Sequence, residues 1–526
     1  MDEVAASITT LDFAIIGIYF AIVLAIGIWV SKTTETGDDL FLAGRTLTWG
    51  VIGFSLFASN ISSTTLIGLA GAAYDGGIPV STYEWMSGVP LIILAVVFVP
   101  MFLKARISTI PEFLEKRFDS RSRKYFSAIT ILLSIIVDTA GGLYAGAVVV
   151  KVFVPEIEIW QTVIALGLFA GLYTAAGGLK AVVYTDVIQA VVLILGTIII
   201  TYMLFAQLDF SWSAVKEAAP DEHLSLIRDI NDPMLPGLGI PLGVFFLGFW
   251  YWVTNQYIVQ RVLGARSVRD AQWGSIFAGF LKIIPLFTMV IPGVMAIRLF
   301  PDLPNPDMVF PTLVTEVLPA GLTGLVLAGL VAAIMSSVDS TLNSASTLVV
   351  HDFVKPAQPD LKPERVGTYG RITTIILMVV AIAWAPFISN FGGLWSYLQQ
   401  AFSILVPPIA AIFLIGAFWR RGNGSGAFAA LVGGHLIGLG FFILTQLGYW
   451  PLHFTINVGV MTAVSSLIFV VVSLQTAAPD PEQVAETTWR PALAAEGTEG
   501  LPFYKDYRYQ SVALLAARGL VLVTFW

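Results

Sequence analysis

Long apolar stretches alternate with short polar ones along most of the chain. About 14 of these stretches approach the length of about 20 residues that a helix needs to cross a bilayer. They begin near residues 12, 47, 82, 125, 160, 181, 237, 273, 311, 372, 392, 426, 453 and 509. The pattern predicts an all-α integral membrane protein with about 14 transmembrane helices, because helices satisfy their own backbone groups in lipid.

A polar run interrupts the second stretch, where residues 59–65 read SNISSTT between two apolar flanks. Polar groups in a membrane helix must face the bundle interior or a water-filled cavity, where unwound backbone is also tolerated. Interhelical hydrogen bonding would explain one or two of these hydroxyls. The whole cluster, with Gly53, Gly68 and Gly71 nearby, favours a broken helix whose freed carbonyls coordinate an ion.

A second polar cluster lies in residues 332–350, AAIMSSVDSTLNSASTLVV. At about 100° per residue its polar members fall within about half of the helical circumference. They are Ser336, Ser337, Asp339, Ser340, Asn343, Ser344 and Thr347. Such a stripe lines a cavity or an ion path, and hydroxyls with backbone carbonyls are the oxygen ligands that a hard cation such as sodium prefers.

Three ionisable residues fall inside predicted spans, where such groups are rare and usually functional. Lys282 lies too deep in its span to reach the interface easily, and Asp138 lies near the middle of its span. Glu84 is near an outer end, where simple hydration explains it equally well. A structural ion pair of Lys282 with Glu84 or Asp138 is the alternative to a binding role.

Composition agrees with a membrane setting and excludes several other classes of protein. The 526 residues are 56% hydrophobic and 12% charged, and the mean hydropathy is +0.82. The absence of cysteine excludes disulfides and thiol chemistry, and a net charge of -7 leaves no basic footprint for nucleic acid. The four histidines have no metal-ligand spacing, and no nucleophile motif is present, so we expect a protein that is not an enzyme.

The distribution of lysine and arginine predicts the orientation. Loops 104–124, 261–272, 351–371 and 420–425 are basic and should be cytoplasmic, whereas 207–236 is acidic and should be external. With 14 spans, both termini then lie outside the cell, in the extracellular or periplasmic space. The first span follows acidic rather than basic residues, so we expect it to be retained and not cleaved as a signal peptide.

Seven segments of the chain form a recognisable series. They read FLAGRTLTWGVIGFSLFASNISSTTLIGLAG, STYEWMSG, TIPEFLEKRF, YTAAGGLKAVVYTDVIQ, WYWVTNQYIVQR, AAIMSSVDSTLNSASTL and LVPPIAAIFLIGAFW. In this order they resemble the motifs of the sodium:solute symporter family, and within it the sodium/glucose and sodium/galactose cotransporters. The resemblance extends over roughly residues 12–475, with the linker and last helix in addition.

The resemblance implies a fold like that of the bacterial leucine transporter, with an inverted repeat of five plus five helices, one helix before it and three after it. The corresponding segments are a first helix and cytoplasmic loop (1–46), the first repeat (47–206), an external loop (207–236), the second repeat (237–419), two peripheral helices (420–475), a flexible cytoplasmic linker (476–508) and the last helix (509–526). A broken helix opens each repeat, the first at ASNISS and the second around residues 247–252.

The resemblance also implies where cations bind. The family's sodium site corresponds to the carbonyls of Ala58, Ile61 and Ala333 and the hydroxyls of Ser336 and Ser337, and all five positions match. A second cation site of some members corresponds to Asp186, Asp339 and Ser340. Asp339 departs from the family, where a small hydroxyl or apolar residue is usual, so this site would hold a cation or a proton. Capping of a helix end by Asp186 near the cytoplasm is the alternative.

The sugar-binding positions of the family are matched in part. Those that match are Asn60, Glu84, Ser87, Lys282 and Gln399, with Tyr251 as the inner gate and Leu69, Tyr83 and Trp395 at the outer gate. Three positions depart. Thr65 replaces a Gln or His, Gly248 replaces an Asn or Thr, and Asp138 replaces an Asn or Lys.

The resemblance therefore implies a sodium-coupled symporter of the cell membrane that imports a hexose such as glucose or galactose by alternating access. The expected ligands are sodium, the sugar and the surrounding lipid, with no nucleic acid. The altered pocket leaves inositol, another small solute or a substrate with a cationic group facing Asp138 as alternatives. A sugar-gated sensor or ion channel on the same fold is a further alternative.

Overall fold

The chain folds almost entirely into helices. The computed structural model describes residues 9–32, 36–61, 63–154, 156–230, 232, 234–303, 306–391, 394–450, 452–495 and 500–526. Within these ranges the one strand-type pairing is a parallel bridge between Leu47 and Ala265. The longer helices are α1 Thr10–Ser31, α2 Trp49–Asn60, α3 Ser63–Gly76, α4 Ile78–Lys104, α5 Ser120–Lys151, α6 Ile159–Gln207, α7 Ile240–Thr254, α8 Gln256–Leu263, α9 Val268–Leu299, α10 Val309–Val317, α11 Leu322–Val349, α12 Pro363–Trp384, α13 Leu394–Phe418, α14 Gly424–Gln446, α15 Phe454–Gln475 and α16 Tyr507–Thr524.

Ten helices in the described part of the chain are long and apolar enough to cross a membrane, and the bent pair of α2 and α3 adds an eleventh. The segment Ile159–Leu172 and helix α7 are apolar but shorter. Helix α16, predicted as the last span, is not among the ten, and the span predicted near residue 311 is divided into α10 and α11. The multi-pass membrane architecture is confirmed, whereas the count of 14 is not.

The helices differ in how much of their surface is covered by protein. In the most apolar stretch of α1 only 22% of the residues are buried, and in that of α12 only 28%. The corresponding share in α11 is 76%. Large apolar side chains such as Ile18 on α1 and Ile376 on α12 are exposed, as expected where a helix faces lipid. Helix α11, which carries the polar stripe, therefore lies in the interior of the bundle.

Helix α6 contains two predicted spans that meet at Gly178. This residue has φ +58° and ψ -154°, a backbone conformation that residues other than glycine rarely adopt. A Cβ atom there would also lie 2.2 Å from the carbonyl oxygen of Leu40. Glycine at this position thus allows the chain to turn and the two segments to approach closely.

A buried ion pair joins the first and second halves of the chain at the end of the bundle that carries the basic loops. Arg123 at the start of α5 donates to the Asp352 carboxylate at 2.7 Å. The hydroxyls of Thr109 and Ser127 donate to the same carboxylate at 2.9 and 2.8 Å. Asp352 is 2% exposed, so this network replaces the water that its charge would otherwise require.

We expect the Asp352→Asn substitution to lower the free energy of unfolding by about 3 kcal/mol, because it leaves the Arg123 charge without its buried counter-ion. Unfolding by detergent titration in mixed micelles measures this quantity. Asp360→Asn, in the exposed loop before α12, removes an equal charge and should have little effect. Equal stability of the two variants would show that the Arg123 pair contributes nothing.

The segment between α15 and α16, predicted as a flexible linker, is packed against the bundle. It contains two short helices, Pro481–Thr487 and Pro491–Ala495. The Trp489 backbone N–H donates to Ala417 O at 2.9 Å, and its indole N–H donates to Val96 O at 3.0 Å. Composition gave no sign of these contacts with α13 and α4.

Candidate functional site

The polar run SNISSTT lies at a break between two membrane helices. Helix α2 ends at Asn60, and Ile61 takes an extended conformation with φ -83° and ψ 100°. The pair α2 and α3 is bent by 60° across this break. Ser62 lies outside the described residues. The predicted broken helix is confirmed, and the carbonyls of the last turn of α2 lack the N–H partners of a continuous helix.

The second break lies a few residues after its predicted position. Residues 247–252 remain helical, and wide π-helical turns occupy Ile240–Val244 and Trp250–Thr254. The chain leaves the helix at Asn255, with φ -75° and ψ 123°, and the Asn255 side chain caps α8. The prediction around residues 247–252 was wrong in position, because no proline and only two glycines mark the true break.

A buried charged cluster lies beside the first break. The Lys282 ammonium donates to the Asn60 side-chain oxygen and to the Glu84 carboxylate. Lys282 is 1% exposed and Glu84 is 7% exposed. The ammonium also lies 5.8 Å from the centre of the Phe57 ring and 5.9 Å from that of Trp252. The cluster offers a cation, a carboxylate and an amide, the groups that pair with the hydroxyls of a desolvated ligand.

The other predicted substrate residues adjoin this cluster to different degrees. The Ser87 hydroxyl donates to the carbonyl of Glu84 at 2.5 Å, and Thr65 donates to the carbonyl of Asn60 at 3.3 Å across the break. The Tyr251 hydroxyl lies beside the Asn60 side chain and interacts electrostatically with Asp138. These contacts place five helices, α2, α3, α4, α5 and α7, around one polar region.

The remaining predicted positions are less informative. A Cβ atom at Gly248 would lie 3.3 Å from Pro90 on α4, so this position faces that helix. Leu69 and Tyr83 belong to one apolar cluster near α3 and α4. Trp395 and Gln399 lie on α13, and their side chains lie outside the described part of the structure.

The predicted sodium ligands lie where the break meets α11. The Ser337 hydroxyl contacts the carbonyl of Ser59 at 3.5 Å and that of Ala333 at 3.2 Å. Ala58 and Ile61 are buried, at 2% and 0% exposure. Ser336 donates to Asp186 at 2.6 Å and keeps its lone pairs for a cation. The set offers uncharged oxygens in a buried region, which suits a monovalent cation.

Behind this set lies a buried ion pair that the sequence did not reveal. The Arg261 guanidinium on α8 binds the Asp186 carboxylate on α6 at 3.0 Å, and both side chains are fully buried. Ser55 donates to Asp186 at 2.5 Å and accepts from Arg261 at 2.6 Å. Arg261 also contacts the hydroxyls of Ser59 and Ser340. The network therefore joins α2, α6, α8 and α11.

This network corrects two interpretations. Arg261 was assigned to the basic loop 261–272, but it lies in the core on a helix that continues past the Asn255 break. Asp186 was alternatively read as capping a helix end, but it lies well inside α6. Asp339 is also buried and accepts from Ser340 at 3.2 Å. The positive charge of Arg261 balances the negative charge of Asp186.

Comparison with known proteins agrees with these observations. A family model described as the sodium:solute symporter family matches residues 40–434. A sodium/glucose cotransporter of Vibrio parahaemolyticus is 36% identical over 464 residues, covering 82% of this chain and 85% of the relative. A sodium/mannose cotransporter of Bos taurus is 37% identical, covering 92% and 89%. A sodium/myo-inositol cotransporter of Oryctolagus cuniculus is 34% identical, covering 91% and 78%.

Among solved structures, a Na⁺-coupled sialic acid symporter in a substrate-bound outward-open state superposes with a TM-score of 0.80. The match covers 90% of this chain and 100% of the symporter, at 23% sequence identity. At this identity the match supports a shared fold and carries no information on substrate. The sequence relatives and the family model go further: the chain belongs to the sodium:solute symporter family.

Proposed function

We propose that this protein is a sodium-coupled symporter that imports a hexose by alternating access. The observation that carries the proposal is the break between α2 and α3, which contributes to both candidate sites. Asn60 contacts Lys282 of the charged cluster, and the carbonyl of the preceding Ser59 contacts Ser337 of the candidate sodium site. An ion that orders this break would thereby order the sugar-binding residue beside it, which couples the two ligands.

Sodium would be held by the carbonyls of Ala58, Ile61 and Ala333 and by the hydroxyls of Ser336 and Ser337. In this proposal sodium stabilises the arrangement that accepts sugar from outside, and its gradient drives uptake. An inverted repeat of five plus five helices belongs to the proposal, with the α2–α3 and α7–α8 pairs as its broken helices. Residence in the cell membrane with both termini outside belongs to the same proposal.

The sugar would lie against Asn60, Glu84, Ser87 and Lys282, with Gln399 as a further ligand. A pyranose offers several hydroxyls that need partners once they leave water, and this set supplies donors and acceptors. The names of the relatives support glucose or mannose. Inositol remains the second candidate because a relative is named a sodium/myo-inositol cotransporter and because Thr65, Gly248 and Asp138 alter the pocket.

A second cation site at Asp186, Asp339 and Ser340 remains part of the proposal. Asp186 binds Arg261 and Ser336 in this structure. A cation that enters this site would therefore have to displace the guanidinium or share the carboxylate with it.

We expect Ser337→Ala to raise the sodium concentration for half-maximal uptake by about tenfold, since it removes one of the proposed ligands. Ser346→Ala is a matched control, because Ser346 is buried on the same helix outside the polar stripe and donates to the carbonyl of Gly370. Sodium dependence of uptake in proteoliposomes measures the effect. An unchanged sodium requirement in the Ser337 variant would remove this hydroxyl from the site.

Equilibrium binding to the purified protein tests the substrate assignment. Labelled glucose, galactose, mannose and myo-inositol are compared in sodium and in potassium. The proposal expects one hexose to bind with sodium and to lose most of its affinity in potassium. Binding of inositol alone would favour the second candidate, and binding that does not depend on sodium would contradict coupling.

A further inference from the structure

The last helix, α16, inserts a charged side chain into the bundle. Its buried face consists of Tyr507, Ser511, Leu514, Arg518 and Val521. Arg518 is 3% exposed, although it lies on a helix outside the proposed inverted repeat. A charged group is costly to bury, so its position between α4 and α9 calls for a physical account.

The Arg518 guanidinium lies against two glycines. Its Nη2 donates to the carbonyl of Gly279 on α9 at 2.6 Å. A Cβ atom at Gly88 on α4 would lie 2.0 Å from its Nε, so the guanidinium occupies the space that a side chain at this position would take. A Cβ atom at Gly279 would lie 2.5 Å from Leu514 of the same helix. Both glycines thus let α16 approach the two helices that carry the charged cluster.

Arg518 is only partly satisfied by these contacts. Its Nε and Nη1 atoms are buried and have no hydrogen-bond acceptor among the residues that the structure describes. The bond to the Gly279 carbonyl accounts for one N–H group and leaves the others unexplained. The two glycines lie close in sequence to residues of the charged cluster. Gly279 precedes Lys282 by three residues, and Gly88 follows Glu84 by one helical turn.

We propose that Arg518 is a positioning residue for the substrate pocket. Its guanidinium binds the Gly279 carbonyl, three residues before Lys282, and occupies the space beside Gly88, four residues after Glu84. These contacts hold the two backbone segments from which Lys282 and Glu84 meet, with Asn60 as the third partner. The bond to Gly279 holds the α9 backbone about one turn before Lys282. The last helix therefore sets the orientation of the cluster that receives the sugar, and this inference depends on the proposed function.

Arg518→Met tests the proposal, because methionine keeps an unbranched stem and removes the charge and the donors. We expect the KM for sugar to rise about tenfold, the loss expected for one charge-assisted interaction, while the sodium requirement stays unchanged. Arg518→Lys keeps the charge as a compact ammonium and should recover most of the affinity. Arg508→Met on the same helix is the control, because Arg508 is exposed and pairs with Asp506.

An unchanged KM for sugar in Arg518→Met would overturn the proposal. A rise in both the KM and the sodium requirement would also overturn it, if Arg518→Lys does not restore the two values. If the methionine variant is not recovered as folded protein, Arg518→Gln decides in the same way. Lys282→Met is measured in parallel. Normal sugar affinity in that variant would contradict the pocket itself, whereas lost affinity there with an unchanged KM in Arg518→Met contradicts only the role of Arg518.

Discussion

Lys282→Met is expected to reduce sugar affinity by about 100-fold or more, because the Asn60 and Glu84 oxygens lose a shared charged donor and remain buried. Uptake should disappear at sugar concentrations that saturate the unchanged protein. Because Lys282 is not one of the proposed sodium ligands, sodium binding should persist. Equilibrium binding of labelled sugar in saturating sodium measures the first effect, and sodium-dependent protection against thermal unfolding measures the second.

Lys355→Met provides the matched control, because Lys355 is exposed near the end of the α11 segment and contacts neither candidate site. Normal sugar affinity in the Lys282 variant would leave this residue as a structural partner of Glu84. A loss of both sugar and sodium binding would instead indicate collapse of the first break, and the Glu84→Gln variant would then be needed to assign the pocket.

Arg261→Met is expected to abolish uptake and to lower the free energy of unfolding by about 3 to 5 kcal/mol. This is the cost of leaving one member of a buried ion pair without its partner. The remaining Asp186 carboxylate would be fully buried beside the candidate sodium site without its guanidinium partner. Adding Asp186→Asn to the Arg261→Met variant removes the carboxylate charge that was left without a partner. The double variant should therefore recover part of the lost stability, and a double-mutant cycle in mixed micelles measures the coupling.

Additive losses in this cycle would show that Arg261 and Asp186 do not stabilise each other. The sodium dependence of the surviving variants gives a second result. If Arg261→Met retains uptake and requires less sodium, the guanidinium competes with a cation at Asp186, and the proposed second cation site gains support.

The sequence predicted the parts of the site that stand out against apolar surroundings. SNISSTT was recognised as a helix break, and Lys282 and Glu84 were recognised as buried ionisable residues with ion pairing as one alternative. Both features carry their signal in a single segment. A cluster of hydroxyls or a single charge in a hydrophobic span can be noticed without knowing which residues surround it in the folded protein.

Other parts depended on contacts between distant segments. Arg261 follows an apolar and aromatic stretch and was counted with a basic loop, because only its contact with Asp186 places it in the core. Helix α7 continues to Thr254 through π-helical turns that no residue pattern marks. The packing of Trp489 and Arg518 likewise depends on α4, α9 and α13, and composition suggested neither contact.

Uptake by purified protein in liposomes tests the central proposal most directly. The vesicles receive labelled hexoses, inositol, proline or a monocarboxylate, with an inward gradient of either sodium or potassium. The proposal expects one hexose to accumulate above its external concentration with sodium and not with potassium. Sodium-driven accumulation of only a non-sugar would contradict the pocket assignment, and a sugar-evoked sodium current without accumulation would contradict symport.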